Sequence, residues 1–370
     1  MNRIEQLYNE WQSLQPLKPE DRSRLDRKFM LEFNYNSNHI EGNTLTYGQT
    51  ELLLLFGKVV DEANMKDLEE MKAHNVCLKM MQTEAAEKDK PLTETFIRQL
   101  HRTMLREDYV CYRRLPDGTN TSYTVHAGVY KTRPNSVITV TGERFEYASP
   151  EETPALMADL VNWYNEAEAK AELSPIELAS VFHYRYIRIH PFEDGNGRIA
   201  RLMVNYILAR HNYPMIVVKS KDKSRYLTAL HQADTFTGKM PADGAFAGKE
   251  AIKPFTDYMK QLLGSELSDN ISFVKEKADM IWWYNGAFVK FANENTVKLI
   301  KVLLDAPAIT VRELSERLPI NKSAVQKQLK ALQDKGYIVR LGGARGGYWH
   351  VALVCTTSEG GQIQNGGQTK

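Results

Sequence analysis

His190-Pro191-Phe192-Glu193-Asp194-Gly195-Asn196-Gly197-Arg198-Ile199-Ala200-Arg201 is the stretch from which the rest of the chain is read. Pro191 disfavours a helical backbone just before it, so the helix upstream must stop near His190. Two glycines and an asparagine then precede a new helix. Glycines let the backbone turn sharply and bring its N–H groups close to a ligand. A helix N-terminus leaves such donors unpaired and carries partial positive charge. Together these make an anion site suited to phosphate. Arg198 and Arg201 are three residues apart, so both project from the first turns of the helix, and guanidinium forks suit phosphate oxygens. Asp194 is a hard carboxylate beside that site, suited to a magnesium ion that bridges polyphosphate oxygens. His190 stands at the rim, where a neutral imidazole can take a proton from an incoming hydroxyl. Phe192 is expected to anchor the loop in the core.

On either side of this loop the pattern is helical. Ser174-Pro175-Ile176-Glu177 is a helix start, with Ser174 as cap, Pro175 in the first turn and Glu177 completing a capping box. Leu178, Phe182, Tyr186 and Ile189 then share a face, and Ile199, Met203, Tyr206 and Ile207 form the stripe of the helix after the loop. Further helices are expected over 224–234 and 253–263. Upstream, Leu25, Phe29, Met30 and Phe33 follow helical spacing, and the pattern is expected to break at Asn34-Tyr35-Asn36-Ser37-Asn38. Residues 49–86 read as one helical stretch and 93–104 as another. Between 111 and 145, Gly, Pro, Thr and Tyr become common, which predicts a loop followed by a small β-hairpin around Val137 and Ile138.

The chain has 370 residues, 42% hydrophobic and 25% charged, and its 48 Lys+Arg against 46 Asp+Glu leave a net charge of +2. That balance is globular and implies no global attraction to nucleic acid or membrane. No apolar run approaches the roughly 18 residues a membrane span needs, and Met1-Asn2-Arg3-Ile4-Glu5 has no signal layout. Cys77, Cys111 and Cys355 lie far apart, so neither a metal spacing nor a complete disulfide framework is expected, and a cytoplasmic location is the expectation.

The quoted stretch resembles the signature of the Fic family, H-x-F-x-[D/E]-G-N-G-R-x-x-R, with every fixed position matched. The resemblance extends over about 101–262. It implies a mainly α fold: a Fic-type helical core with a β-hairpin flap. It also implies transfer of AMP from the co-substrate ATP, with Mg²⁺, to a Ser, Thr or Tyr hydroxyl of a target protein. His190 would be the general base and Asp194 the Mg²⁺ ligand. Glu193, Asp194, Gly195, Asn196, Gly197 and Arg198 would belong to the phosphate-binding loop, and Arg201 would hold the γ-phosphate. Val137 and Ile138 would lie on the flap that docks the target as an added strand. Gly197 stands where phosphate-transferring relatives carry lysine, which favours nucleotidyl transfer. Tyr226 and Asp234 would face the nucleoside, Asp234 in place of the Asn often found in relatives.

Ser37-Asn38-His39-Ile40-Glu41-Gly42 resembles the family's inhibitory pattern, [S/T]-x-x-x-E-[G/N]. Ser37, Glu41 and Gly42 are its fixed positions. Glu41 would pair with Arg201 and displace the γ-phosphate. The same glutamate also suits orienting a water that removes AMP from a modified target, so that direction stays open.

Residues 291–355 read as a second domain. A capping box at Thr310-Val311-Arg312-Glu313 opens a short helix, 321–335 forms another that stops at Gly336, and two strands follow, Tyr337-Ile338-Val339-Arg340-Leu341 and Tyr348-Trp349-His350-Val351. The pattern resembles a winged helix-turn-helix. From Glu294 to Leu353 there are six Lys and four Arg against three Glu and two Asp. Lys322, Gln326, Lys327 and Lys330 fall on the outer side of the third helix, with Arg340 and Arg345 on the wing. Duplex DNA is one expected partner, a second copy of the chain another. The expected segments are 1–100, helical with the inhibitory motif; 101–262, the catalytic core; 263–290, a helical linker; 291–355, the winged helix; and 356–370, a disordered tail. The competing function is a DNA-binding regulator that uses the pocket to sense a nucleotide.

Overall fold

A computed structural model describes residues 3–59, 62–114, 118–138, 144–238, 241–275, 281–284, 287–289, 291, 293–318, 320–343 and 346–356. The elements run α1 (Arg3–Ser13), α2 (Pro19–Ile40), α3 (Tyr47–Phe56), α4 (Met65–Ala86), α5 (Glu94–Leu105), β1 (Tyr109–Arg114), β2 (Asn120–Val125), β3 (Ser136–Ile138), β4 (Arg144–Glu146), α6 (Thr153–Lys170), α7 (Pro175–Ile189), α8 (Asn196–Arg210), α9 (Lys223–Thr237), α10 (Pro241–Ala245), α11 (Lys253–Lys275), β5 (Ile281–Tyr284), β6 (Ala287–Val289), α12 (Glu294–Asp305), α13 (Val311–Arg317), α14 (Lys322–Asp334), β7 (Ile338–Leu341), β8 (Tyr348–Val351) and β9 (Val354–Thr356). The fold is mainly α.

The chain forms two compact units, each discontinuous in sequence. The first holds Met1–Gln15, Phe33–Thr44 and Asn64–Asp269; the second holds Pro16–Glu32, Leu45–Ala63 and Asn270–Lys370. The expected segments were contiguous, because hydrophobic pattern along a chain does not report which separated stretches share a core.

In the first unit α7 and α8 are the central pair, and α4, α5, α6 and α10 pack around them. Phe182, Tyr186, Phe192, Ile199, Met203 and Tyr206 are fully buried there. α7 starts on the expected Ser174–Glu177 capping box and ends at His190, whose φ of 51° is left-handed. Between α5 and α6 lie two hairpins. β1 pairs with β2 over Tyr109↔Val125 to Arg114↔Asn120, and β3 with β4 over Ser136↔Glu146 to Ile138↔Arg144. The first hairpin replaces the loop expected there; Tyr, Val and Thr alternate along it and suit a two-faced ribbon. The expected flap tip, 139–143, lies outside the described residues.

Three other expectations change. The asparagine-rich stretch does not end a helix, because α2 continues through it to Ile40. The 49–86 stretch is two helices, α3 closing on Gly57 in the left-handed region at φ 65°. Gly57 provides the stop that its apolar neighbours concealed. The linker is not wholly helical: α11 runs to Lys275, and Ile281-Trp282-Trp283-Tyr284 forms a strand between β6 and β9. Its aromatic and β-branched side chains favour that state.

The second unit packs α12, α13 and α14 on the β7–β8 hairpin around Leu299, Ile300, Leu303, Leu314, Val325, Leu329 and Trp349. Thr310 caps α13 in the expected box, Asn321 caps α14, and Gly336 at φ 73° follows α14. Lys322, Gln326, Lys327 and Lys330 are exposed on α14 as expected. Within this unit α3 meets β8 through the buried pair Glu51 Oε2–His350 Nε2 at 3.2 Å. Arg345 and residues 357–370 of the tail lie outside the described residues, while Thr356 is in β9.

Candidate functional site: an anion cradle closed by a glutamate

The loop between α7 and α8 is held by its own side chains. Asn196 Oδ1 accepts from the Phe192 N–H at 2.9 Å, and Asn196 Nδ2 donates to the Phe192 carbonyl at 2.7 Å. The Asn196 side chain therefore staples the turn, and its backbone opens α8. Gly195 sits at φ 77°, a region that favours glycine. Phe192 is buried, as expected, and stacks on His101 with ring centroids 3.7 Å apart.

His101 in turn fixes the loop backbone. Its Nδ1 faces the Gly128 N–H at 2.9 Å and must accept, so its Nε2 carries the proton and donates to the Asp194 carbonyl at 3.0 Å. Burial pulls the His101 pKa down to about 4, which keeps this neutral tautomer. The Asp194 carboxylate accepts from the Gly195 N–H at 2.6 Å and from the Tyr109 hydroxyl at 2.8 Å. Burial works against its charge, but Arg198, Tyr109 and Gly195 overcome it, and its pKa lies below the usual carboxylate range. Asp194 is thus an ionised carboxylate with 44% of its side chain exposed. Among the described residues no group of three or more His, Cys, Asp or Glu could hold a metal. A magnesium ion needs only one or two carboxylates when substrate phosphates supply the rest, so Asp194 fits that ion and no all-protein cage is required.

His190 stands at the end of α7 with its ring stacked on Tyr147, centroids 3.9 Å apart and planes at 12°. Burial first, then the Lys131 cation, lower its pKa to about 4, so the imidazole is neutral and able to accept a proton. Lys131 Nζ donates to the Ile189 carbonyl at 2.9 Å, and Asn135 Nδ2 to the Phe192 carbonyl at 2.8 Å. These contacts tie the approach to β3 onto the loop. The Glu193 side chain joins the same tie: its Oε1 accepts from the Thr132 hydroxyl at 3.2 Å.

Arg198 and Arg201 are both buried, and each already faces a carboxylate. Arg198 Nη2 lies 3.5 Å from Asp194 Oδ2, with Glu70 Oε2 at 3.9 Å from Nη1. Arg201 Nη2 donates to Glu41 Oε1 at 2.7 Å and to the Ser37 carbonyl at 2.8 Å, while Nε donates to Ser37 Oγ at 3.0 Å. Burial opposes the Glu41 charge, yet Arg201 and Arg198 hold its pKa below the ordinary value. A Cβ at Gly197 would run into the Glu41 carboxylate and lie 3.1 Å from Arg201 Nη1. Glu41 therefore reaches the amino end of α8, directly over the glycine. Gly42 follows at φ 100° with open space around it, so conformation and not crowding requires glycine there.

Behind Ser37 lies a buried network. Asn34 Nδ2 donates to Asn75 Oδ1 at 3.0 Å, which leaves Asn34 Oδ1 to accept from His74 Nδ1–H at 2.7 Å. His74 Nε2 then accepts from Ser37 Oγ–H at 3.2 Å, and Ser37 Oγ is free to accept from Arg201. Burial, Arg198 and Arg201 all push the His74 pKa well down, which keeps Nε2 an acceptor.

Asp234 and Tyr226 are near one another in sequence but have different partners. Asp234 Oδ1 accepts from Tyr184 at 2.6 Å and from the buried Arg188 at 3.0 Å. Tyr226 is buried and its hydroxyl meets His183 Nε2 at 2.9 Å. Val137 and Ile138 lie on β3 beside β4, in register with Phe145 and Arg144. His74, His101, Tyr109, Tyr147 and His183 escaped the sequence reading; they are scattered singly along the chain, and no spacing links them to the loop.

The comparisons with known proteins agree with this architecture. A Fic/DOC family model matches residues 91–208, and a model described as winged helix-turn-helix DNA-binding matches 293–339. The Caenorhabditis elegans protein adenylyltransferase fic-1 is 27% identical over 259 residues, 70% of this chain and 44% of that protein. This chain thus spans under half the length of that curated relative. A Fic family protein from Desulfovibrio desulfuricans, 19% identical, shares the fold with a TM-score of 0.53, covering 95% of this chain and 96% of that one. A crystal structure of a Fic domain containing signaling protein from Bacteroides thetaiotaomicron is 57% identical with a TM-score of 0.69, over 74% of this chain and 97% of that one. Sequence identity of that extent, on the same helical core and with the whole loop signature in place, means that this chain belongs to the Fic/DOC family and carries a winged helix-turn-helix in its C-terminal part.

Proposed function

We propose that the chain is a self-inhibited protein adenylyltransferase that moves AMP from ATP to a Ser, Thr or Tyr hydroxyl of a target protein. The observation that carries this reading is the Glu41 carboxylate on Arg201 at 2.7 Å, lying over Gly197 at the amino end of α8. An anion already occupies the place where the site favours one, and it is supplied by the chain itself. In the uninhibited enzyme the triphosphate would take that place, with its γ-phosphate on Arg201. The target oxygen attacks the α-phosphorus, the bond from that phosphorus to the β-phosphate bridging oxygen breaks, and pyrophosphate leaves. The hydroxyl proton goes to His190. Asp194 would hold Mg²⁺, which neutralises polyphosphate charge when bound. The rest is positioning and electrostatic stabilisation by the loop N–H groups and the two arginines. The segment leading into β3 is tied to the loop by Asn135 and to the end of α7 by Lys131, which supports a docking role for the strand that carries Val137 and Ile138.

The test is incubation of Glu41→Gly with Mg²⁺ and α-labelled ATP beside the parent and a His190→Ala control. The expected result is protein-bound label that depends on His190 and rises when Glu41 is removed. Nucleotide binding without label would favour the sensor reading, and equal labelling of parent and Glu41→Gly would remove the brake.

A second reading concerns the other unit. The exposed Lys322, Gln326, Lys327 and Lys330 of α14 support duplex DNA as a partner, through major-groove placement of that helix. Salt-dependent retention on duplex DNA is expected, and absence of retention at low salt would remove it.

A further inference from the structure

We infer that His74 is a positioning residue for Arg201: with Asn34 it orients the Ser37 hydroxyl, and Ser37 keeps the guanidinium aimed at the terminal phosphate once Glu41 has gone. The inference rests on the reading of Arg201 as the γ-phosphate group. Its starting point is that two residues hold Arg201 and only one of them competes with the nucleotide. Glu41 follows Ile40, the last residue of α2, and its Oε1 accepts from Nη2 at 2.7 Å. Ser37 lies inside the helix one turn earlier. Its Oγ accepts from Nε at 3.0 Å and its carbonyl from Nη2 at 2.8 Å. The helix has its own anchor there, since Asn36 Oδ1 accepts from the Ser220 N–H at 2.9 Å. A triphosphate competes with the carboxylate and not with the serine. The short stretch that carries Glu41 can therefore leave while Ser37 stays on Nε.

A serine hydroxyl rotates, and it holds an arginine only while a lone pair faces the N–H. The network behind Ser37 fixes that direction. Asn34 Nδ2 donates to Asn75 Oδ1 at 3.0 Å, so Asn34 Oδ1 faces His74 Nδ1–H at 2.7 Å. His74 Nε2 is left as an acceptor and draws the Ser37 O–H toward itself at 3.2 Å. The hydroxyl proton thus points at α4 and a lone pair points at Arg201. Asn34, Ser37, His74 and Arg201 are all buried, so bulk water does not replace a lost partner. His74 touches no nucleotide in this scheme and acts only through Ser37.

The test uses calorimetry of the Mg²⁺ complexes of α,β-methylene ATP and α,β-methylene ADP on the full chain carrying Glu41→Gly. A carbon in place of the α,β-bridging oxygen prevents transfer. This parent should bind the triphosphate more tightly than the diphosphate. If it does not, the γ-phosphate reading fails and the inference with it. Adding His74→Leu should lower the triphosphate preference by about fivefold to tenfold and leave diphosphate affinity in place. An unchanged preference overturns the role of His74 and leaves the γ-phosphate reading standing. An equal loss of both nucleotides overturns it too, because general damage to the fold has no reason to distinguish them. His74→Gln, whose amide oxygen can accept from Ser37, should keep the preference, and a Gln variant as poor as Leu counts against the inference. Ser37→Ala removes only a hydroxyl and should lower the preference as far as His74→Leu does. An unaltered preference there overturns the inference even if a buried leucine prevents folding. In the Ser37→Ala background His74→Leu should cost no further preference, and an additional loss would show His74 acting by a route other than Ser37.

Discussion

The loop over 192–197 and the segment over 33–44 meet at Arg201, yet they are held in opposite ways. The loop closes first on itself, where Asn196 staples Phe192 four residues away and Asp194 accepts from the next N–H, and His101, Tyr109 and Asn135 then brace it. The side chains of the segment over 33–44 are held largely from afar. Asn34 meets Asn75 and His74, Asn36 accepts from the Ser220 N–H, Ser37 and Glu41 meet Arg201, and Lys223 reaches the Ile40 carbonyl. A catalytic turn must keep its shape whether or not the brake is on. On the proposed reading the segment that carries Glu41 has to leave, which suits a set of separable contacts to other elements.

The largest expected effect falls on the loop side. In a Glu41→Gly background, His190→Ala should lower AMP transfer by roughly 10²- to 10⁴-fold, the usual worth of a positioned base, measured as initial rate of label incorporation. On the brake side Glu41→Gly alone should raise that rate by roughly 10- to 100-fold, the range of a coupling between sites. A ratio near one would mean that the contact at 2.7 Å does not restrain the enzyme.

Acid should separate the two kinds of support by stability. His74, His101 and His183 are buried in the first unit and His190 is partly buried, with pKa values pushed below the ordinary one, to about 4 for His101 and His190 and about 3 for His183. Below pH 6.5 the unfolded chain binds protons that the folded chain refuses. Stability is therefore lost as pH falls from 6.5 toward 4, by about 1.4 kcal/mol per pH unit for each histidine at full slope. Thermal melting between pH 7 and 4.5 checks this; a flat profile would mean that these imidazoles are not neutral in the folded state.

The smallest effect is the most specific to the brake. Lys223 donates to the Ile40 carbonyl at 2.6 Å, at the carboxyl end of α2 where a cation is favourable. Lys223→Met should loosen that end and raise basal AMP transfer about twofold to fivefold, with no change once Glu41 is already Gly. An equal rise in both backgrounds would place Lys223 in catalysis and not in restraint.

These differences also explain what could be read in advance. The ends of α7, the left-handed His190 and the start of α8 follow from Ser174, Pro191 and the glycines, since caps and turns act over three or four residues. The winged unit was legible for the same reason, from the Thr310–Glu313 box to Gly336. The Asn34–Asn38 stretch misled. Asparagine favours turns because its side chain competes with the backbone in water. Here Asn34, Asn36 and Asn38 are buried and have partners, so that competition is gone and the helix continues.

By itself, the order of residues determined the turn between α7 and α8 and the helices that frame it, because caps, proline and glycine act on neighbours a turn or two apart. Tertiary structure alone decided that Ser37 is backed by His74 and Asn34, that Tyr226 meets His183, and that stretches 16–32 and 45–63 belong with the C-terminal unit. Those partners stand tens to hundreds of positions apart, and only burial in a common core, where an unpaired polar group is costly, selects among them.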